Sequence, residues 1–315
     1  MRAMQYRDYG TPDQLQLVDV PKPSPAPTQL LVRVAATSVN PVDWKLHNGQ
    51  YRRIMPVHFP SIPGFDLAGE VTEVGAQVTR FKPGDRVFAM LDRRPGGTCA
   101  EYVTVGEQAA ARSPANLTLQ EAAALPLAGL TALQGLRDLG RIATGQRVLI
   151  IGAAGGVGHL AVQIAKSYGA DVTAVCSGRN AELMRRLGAR HTIDYTQTSD
   201  LRGAQPYDLV FDLIASLPLR KLLALLAVNG TYVTSLPSAS RIAAAIFLPF
   251  GSRQRVRIAG VKSRGADLEV LSRLCEAGQL RPVIERVFTL EALAAAHTSS
   301  QQGRTVGKLA IQIAS

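Results

Sequence analysis

The run Gly152-Ala153-Ala154-Gly155-Gly156-Val157-Gly158 offers backbone amides to a phosphate. It fits a dinucleotide fingerprint, with Ala153 in the first glycine place, then Gly155 and Gly158. Its glycines permit a tight turn, so the chain at Ala154, Gly155, Gly156 and Val157 can approach a pyrophosphate. The helix expected next adds free N–H groups and the positive end of its dipole. An apolar strand, VLIIGA, precedes the run and a helical pattern follows it. That context distinguishes a cofactor site from a glycine-rich turn that only packs a helix on a sheet.

A site for NAD wants Asp or Glu roughly 20 residues beyond the turn, for the ribose 2′-hydroxyl. The chain has Ser177-Gly178-Arg179-Asn180 there, after a strand ending at Cys176. Ser177 and Arg179 can donate to a 2′-phosphate, so NADPH is preferred over NADH. The alternative is an Arg179 that is simply solvated. Tyr195, at the end of TIDY, is a further candidate for the adenosine phosphate.

Other reactive side chains lack a pattern. The five histidines, His47, His58, His159, His191 and His297, form no HxH or HExxH motif and read as packing or surface residues. Cys99, Cys176 and Cys275 have no CxxC neighbour, which excludes a disulfide framework and a cysteine-rich zinc knuckle. Together with the absence of an apolar core in MRAMQYRDYG, they point to a reducing cytoplasm.

These residues need elements to position them. Hydrophobic types make up 46% of the chain and charged types 19%, enough for real cores, and the length suggests two domains. Residues 1–122 read as short strands split by PKPSPAP, PSIPG and KPGD, a β-rich, barrel-like domain. Residues 118–140 are helical in composition and open on a Thr118–Glu121 capping box. Strands and helices then alternate, including helices around 182–187 and near 219–227, and RVRIAGV (255–261) reads as the last strand of a parallel sheet. The expected domains are 1–122, completed by 266–315, and 123–265. Residues 148–165 carry no formal charge, but four glycines in their middle argue for strand, turn and helix rather than a membrane span.

Thirty-five Lys and Arg against 24 Asp and Glu leave a net charge of +11, which suits a polyanionic partner. The densest group is Arg253, Arg255, Arg257, Lys262 and Arg264, whose first three share a strand face at period two. No RNP, zinc-finger or KH motif accompanies it, so a solvated edge is preferred to a nucleic-acid footprint.

Taken together, SVNPVDWKLHNGQY (38–51), PGFDLAGEVTEVG (63–75), KPGDRVFA (82–89), AALPLAGLTALQGL (123–136), VLIIGAAGGVGHLAVQIAKSYGA (148–170) and GKLAIQI (307–313) resemble the medium-chain dehydrogenase/reductases. The resemblance is to their zinc-independent, zeta-crystallin-like quinone oxidoreductase branch. It implies an α/β chain with a GroES-like β-barrel catalytic domain and a Rossmann domain, and a homodimer. Zinc alcohol dehydrogenases carry a cysteine ligand and a Gly-His-Glu segment where this chain has Asn40-Pro41-Val42-Asp43 and Gly64-Phe65-Asp66. A phenyl ring cannot ligate zinc, so no metal is expected.

The resemblance also places Asn40 and Thr131 near the nicotinamide, Ser235 and Leu236 on its carboxamide side, Lys308 at the cofactor and Cys99 near the pocket rim. It makes Tyr51 a pocket tyrosine. A phenolic O–H can donate to a developing oxyanion, which makes Tyr51 and Asn40 the candidate catalytic residues. The alternatives are a Tyr51 that only lines the pocket, with solvent as the acid, and an Asp43 that only orients its loop. The reaction implied is metal-free hydride transfer from NADPH to a quinone or an α,β-unsaturated carbonyl. The competing reading is a non-catalytic NADPH-binding or sensor protein of the same fold, with or without nucleic-acid affinity. The apolar run 242–250 is too short to span a membrane and suits a substrate mouth, a dimer contact or plain core.

Overall fold

Short strands broken by proline and glycine build one unit, Met1–Ala128 with Lys262–Ser315, and alternating strands and helices build another, Gly129–Val261. The computed structural model describes residues 1–92, 96–247 and 253–313. Leu248, Pro249 and Phe250 of the apolar run lie outside the described residues.

The first unit opens with β1 (Arg2–Gln5), β2 (Gln16–Asp19) and β3 (Gln29–Ser38), then α1 (Pro41–His47). β4 (Asp66–Val74), β5 (Arg86–Met90), β6 (Tyr102–Gly106) and β7 (Ala110–Arg112) follow, with α2 (Leu119–Ala123) after them. The chain leaves through α3 (Pro126–Gln134).

The second unit contains β8 (Arg147–Ile151), α4 (Gly158–Ser167), β9 (Asp171–Cys176), α5 (Ala181–Leu187), β10 (His191–Asp194) and β11 (Tyr207–Asp212). It continues with α6 (Leu219–Leu223), β12 (Leu226–Thr234), α7 (Ala239–Phe247) and β13 (Arg255–Ile258). The tail then supplies α8 (Gly265–Glu276), β14 (Ile284–Thr289), α9 (Leu293–Gln301) and β15 (Lys308–Gln312) to the first unit.

In the first unit the main sheet runs β14-β15-β3-β4-β5-β7, with β6 also on β3. β3 is apolar and buried over most of its length, so β15, β4 and β6 can all pack along it. Its register with β15 pairs Ser38 with Ala310, and two residues further on Lys308 faces Asn40. Its register with β4 pairs Ala36 with Ala68, which brings Ser38 opposite Asp66. Two antiparallel registers thus converge the ends of three strands.

The second unit is a six-stranded parallel sheet in the order β10-β9-β8-β11-β12-β13. That is the dinucleotide-binding order, and it reverses between β8 and β11. Those two strands are almost wholly buried, as a sheet covered on both faces requires.

Several element boundaries differ from the sequence reading; β13, for one, ends at Ile258 rather than 261. The expected helix at 118–140 is α2, then α3, then a π-turn over Gly135–Leu139. Pro126 interrupts it, because proline has no N–H to donate and clashes with the preceding turn. The capping box holds, with Glu121 N–H on Thr118 Oγ1 at 3.2 Å and Thr118 N–H on Glu121 Oε2 at 2.9 Å. The helix near 219–227 ends at Leu223, because Leu226 already pairs with Tyr207 of β11. Of the basic cluster, Arg255 and Arg257 flank buried Val256 on β13, while Arg253 precedes the strand.

Candidate functional site

The glycine-rich turn after β8 sits where the strand order reverses. Gly152 follows β8 with φ +81°, a conformation L side chains rarely adopt. Ala153 N–H bonds Val175 O at 3.0 Å, tying the turn to β9, and Gly155 N–H bonds Gly152 O at 3.1 Å. Gly158 opens α4 so close to the turn that a Cβ there would lie 2.2 Å from Gly152 O. A Cβ on Gly155 would meet only Gly152 O, at 3.4 Å. The turn is therefore closed on its protein side at Gly158 and open to a Cβ at Gly155. Ala154 is buried, while Gly155, Gly156 and Val157 are partly accessible.

Beyond β9, Ser177 is half-buried, and its hydroxyl accepts from Asn180 Nδ2 at 3.2 Å. Arg179 is exposed on a single 3₁₀ turn, and Tyr195 is 62% exposed. Sequence reading missed a carboxylate here. Asp194, at the end of β10, lies so close to Gly178 that a Cβ on that glycine would be 2.4 Å from Oδ2. Asp194 Oδ1 accepts from Thr196 Oγ1 at 2.7 Å and Thr196 N–H at 2.9 Å. The Thr196 hydroxyl and N–H, with the Gly178 N–H, hold its carboxyl below the usual range. The parallel β9–β10 pairing, Cys176 to Asp194, is the signal that locates it.

Elsewhere in this unit, Thr131 is buried on α3. Ser235 and Leu236 follow β12 half-buried, and the Leu236 N–H is taken by Thr234 Oγ1 at 3.1 Å. Ile214 covers Gly152, on a loop held by Asp212 Oδ1, which accepts the Ile214 and Ala215 N–H groups.

In the first unit the structure brings Asn40 and Lys308 together and adds Asp66, which sequence reading noted only as part of the altered metal segment. Asn40 occupies the N-cap position of α1, and Asp43 reaches back to its N–H at 2.7 Å. The Asn40 side chain does not cap. Its Nδ2 donates to Asp66 Oδ2 at 2.7 Å, and its Oδ1 accepts from Lys308 Nζ at 2.6 Å. Lys308 was expected at the cofactor. Its ammonium is 3% exposed, donates also to Val39 O at 2.9 Å and lies 3.7 Å from Asp66 Oδ2. Asp66 accepts from Ser38 Oγ at 2.6 Å and from the Leu127 N–H at 2.7 Å.

Burial pushes the Asp43 carboxyl up to about 7; the Asn40 N–H opposes this and Asp66 adds to it. Burial pulls Lys308 down, against the pull of Asp66 and Asp43. One proton on Asp43 leaves this buried trio electrically neutral, which low dielectric favours.

Tyr51 lies half-buried in the turn after α1, its ring 5.8 Å from Lys45 Nζ, and its carbonyl accepts from Ile54 and Met55. Cys99 is buried, and burial with Asp43 nearby raises its thiol well above the usual range, which suits packing rather than attack. His47, His159 and His297 are buried packing residues, and His58 and His191 are exposed. Phe65 is buried beside Asp66. Among the described residues, no three His, Cys, Asp or Glu side chains gather as a metal site would require. No described helix is long and apolar enough to cross a membrane.

Residues 26–119 match the alcohol dehydrogenase GroES-like domain, and residues 187–311 match a model described as a zinc-binding dehydrogenase. The chain is 36% identical to the chloroplast envelope quinone oxidoreductase homolog of Arabidopsis thaliana, over 99% of this chain and 98% of that one. It is 34% identical to 2-methylene-furan-3-one reductase of Solanum lycopersicum, over 99% of this chain and 79% of the relative. The solved quinone oxidoreductase of Coxiella burnetii superposes with a TM-score of 0.89 at 32% identity, covering 100% of this chain and 99% of that one. The fold is thus a GroES-like domain joined to a Rossmann domain.

Proposed function

Because this chain belongs to the medium-chain dehydrogenase/reductase family, in its quinone oxidoreductase branch, we propose that it uses NADPH, without a metal, to reduce a quinone or an α,β-unsaturated carbonyl. That it is a nicotinamide-dependent oxidoreductase comes with the family. The observation that carries the finer reading is the state of Asp66. Its carboxylate is filled by Ser38, Asn40 and the Leu127 N–H, and its neighbour is Phe65. A site built this way offers no Lewis acid to a simple alcohol, so its acceptor must already be electrophilic.

A bound nicotinamide supplies the hydride. The open position at Gly155 supports a close approach of its pyrophosphate, and the α4 N-terminus adds a favourable dipole. Ser177, Arg179 and Tyr195 support the phosphate of NADPH; Thr131, Ser235 and Leu236 hold the nicotinamide end. Asn40 donates to the nicotinamide ribose or the acceptor carbonyl, and Tyr51 donates to the forming oxyanion. The chain works as a cytoplasmic homodimer, in line with its three buried, unbridged cysteines and the edge strand β13. The test is NADPH consumption against a panel of quinones, enals and enones in EDTA. Silence across the panel, or activity restored only by zinc, overturns this reading.

Arg179→Ala should weaken NADPH roughly ten- to hundredfold, the worth of about 1.5–3 kcal/mol from a charge-assisted contact, and leave NADH nearly unchanged. Isothermal titration with both cofactors checks this, and equal losses would remove Arg179 from phosphate recognition. Tyr51→Phe should lower kcat for an enone by about tenfold or more and spare quinones, which need little help from an acid. Steady-state kinetics with one substrate of each class decides, and an unchanged enone kcat leaves solvent as the proton source.

A further inference from the structure

The Asn40 carboxamide is held by two groups with opposite requirements. An ammonium can only donate, and Lys308 Nζ faces Oδ1 at 2.6 Å. A carboxylate can only accept, and Asp66 Oδ2 faces Nδ2 at 2.7 Å. The two ends of an amide are nearly equal in size, so sterics alone leave its flip undecided. Here a flip would set N–H against ammonium and oxygen against carboxylate.

Both holders are themselves held. Asp66 is anchored by the Ser38 hydroxyl and the Leu127 N–H, and Lys308 by Val39 O. Asp66 is 0% exposed and Lys308 3%, so water competes for neither. A buried ion pair is a weak source of stability, since well-packed apolar residues often do as well. What this pair does supply is direction.

Resting on the oxidoreductase reading above, we propose that Lys308 and Asp66 are positioning residues that keep Asn40 a hydrogen-bond donor toward the nicotinamide ribose or the carbonyl being reduced. Lys308 acts through Asn40 and does not touch the cofactor. The second Nδ2 hydrogen is then the group presented to the ligand, and a rotated amide would present oxygen to a carbonyl oxygen.

The test uses Lys308→Met, Lys308→Met with Asp66→Asn, and Lys308→Met in an Asn40→Ala background. Lys308→Met should lower kcat for a quinone about ten- to hundredfold, the loss typical of a misplaced group, and should lower Tm. The double variant removes the unpaired carboxylate, so Tm should recover while kcat stays low. In the Asn40→Ala background, Lys308→Met should cost kcat nothing further, because a residue acting through Asn40 has nothing left to act on. In ¹⁵N spectra, the Asn40 side-chain amide pair, identified by its absence in Asn40→Asp, should shift and exchange faster in the double variant. Recovery of kcat together with Tm, or an undiminished loss in the Asn40→Ala background, overturns the proposal. If Asn40→Ala is as active as wild type, the catalytic reading of Asn40 fails instead. The amide pair then decides alone, and an unchanged pair in the double variant shows there is no clamp.

Discussion

Gly158→Ala should cost this protein both its cofactor and several degrees of thermal stability. The new Cβ would lie 2.2 Å from Gly152 O and 2.7 Å from the Ala153 backbone, where no side chain can swing aside. Forcing one extra carbon into such a site costs about 1–3 kcal/mol. For a unit of this size that lowers Tm by roughly 4–12 °C. The turn must also open, which moves the amides of the phosphate site, so NADPH affinity should fall at least about tenfold. Gly155→Ala separates the two effects. Its Cβ meets nothing closer than 3.4 Å, so Tm should hold while affinity drops, because the methyl projects where a pyrophosphate would lie. Thermal melts and cofactor titrations on both variants check this. A Gly155→Ala protein that binds NADPH normally would put the phosphate elsewhere.

Asp43→Asn should change how stability depends on pH. Burial raises the Asp43 carboxyl from 3.8 to about 7 in the folded chain. Between about pH 4 and pH 7 the native state therefore keeps a proton that the unfolded state has released. Stability carried by that proton is fully present at low pH and is lost as pH rises, by as much as about 1.4 kcal/mol per unit and roughly 4 kcal/mol in all. His297, which burial and His47 lower to about 3, and His47, which burial also lowers, act in the opposite sense. These contributions are common to wild type and variant and cancel in their difference. Relative to wild type, Asp43→Asn should gain stability from pH 4 to pH 7 and level off above. An asparagine oxygen can still accept the Asn40 N–H that Asp43 Oδ2 now takes. Urea unfolding at pH 4.5, 6 and 8 measures the difference, and a difference independent of pH would return Asp43 to its ordinary carboxylate range.

The parts of this fold legible in the sequence are those written locally. The glycine turn, the apolar strand before it and the Thr118–Glu121 box each need only a few neighbouring residues to be recognised. Where local and distant preferences competed, the reading slipped. KLLALLAV has good helix formers, yet Leu226 belongs to β12 because β11 lies alongside it. The sequence offers Ser177 and Arg179 as candidate phosphate donors but hides Asp194, since only the pairing of β10 with β9 brings it to Gly178. The partnership of Asn40 with Lys308 was equally hidden. The two are 268 residues apart, and nothing in a linear pattern joins a lysine in GKLAIQI to an asparagine before a proline. Their types were informative, but their contact is set by the β3–β15 register.

That register also orders events in time. The second unit is continuous in the chain, so all of its strands are available once residue 261 has been made. The first unit is not. Until β15 arrives, the Ala36–Ser38 end of β3 lacks a neighbour beyond the stretch that β6 already pairs, and Asp66 is without its lysine. At about 5–20 residues per second, synthesis leaves Asn40 waiting roughly 15–50 s for Lys308. For that interval the nascent chain carries a short unpaired strand end at Ala36–Ser38 and a carboxylate without its cation. The first unit is completed last, after every strand of the second has been made.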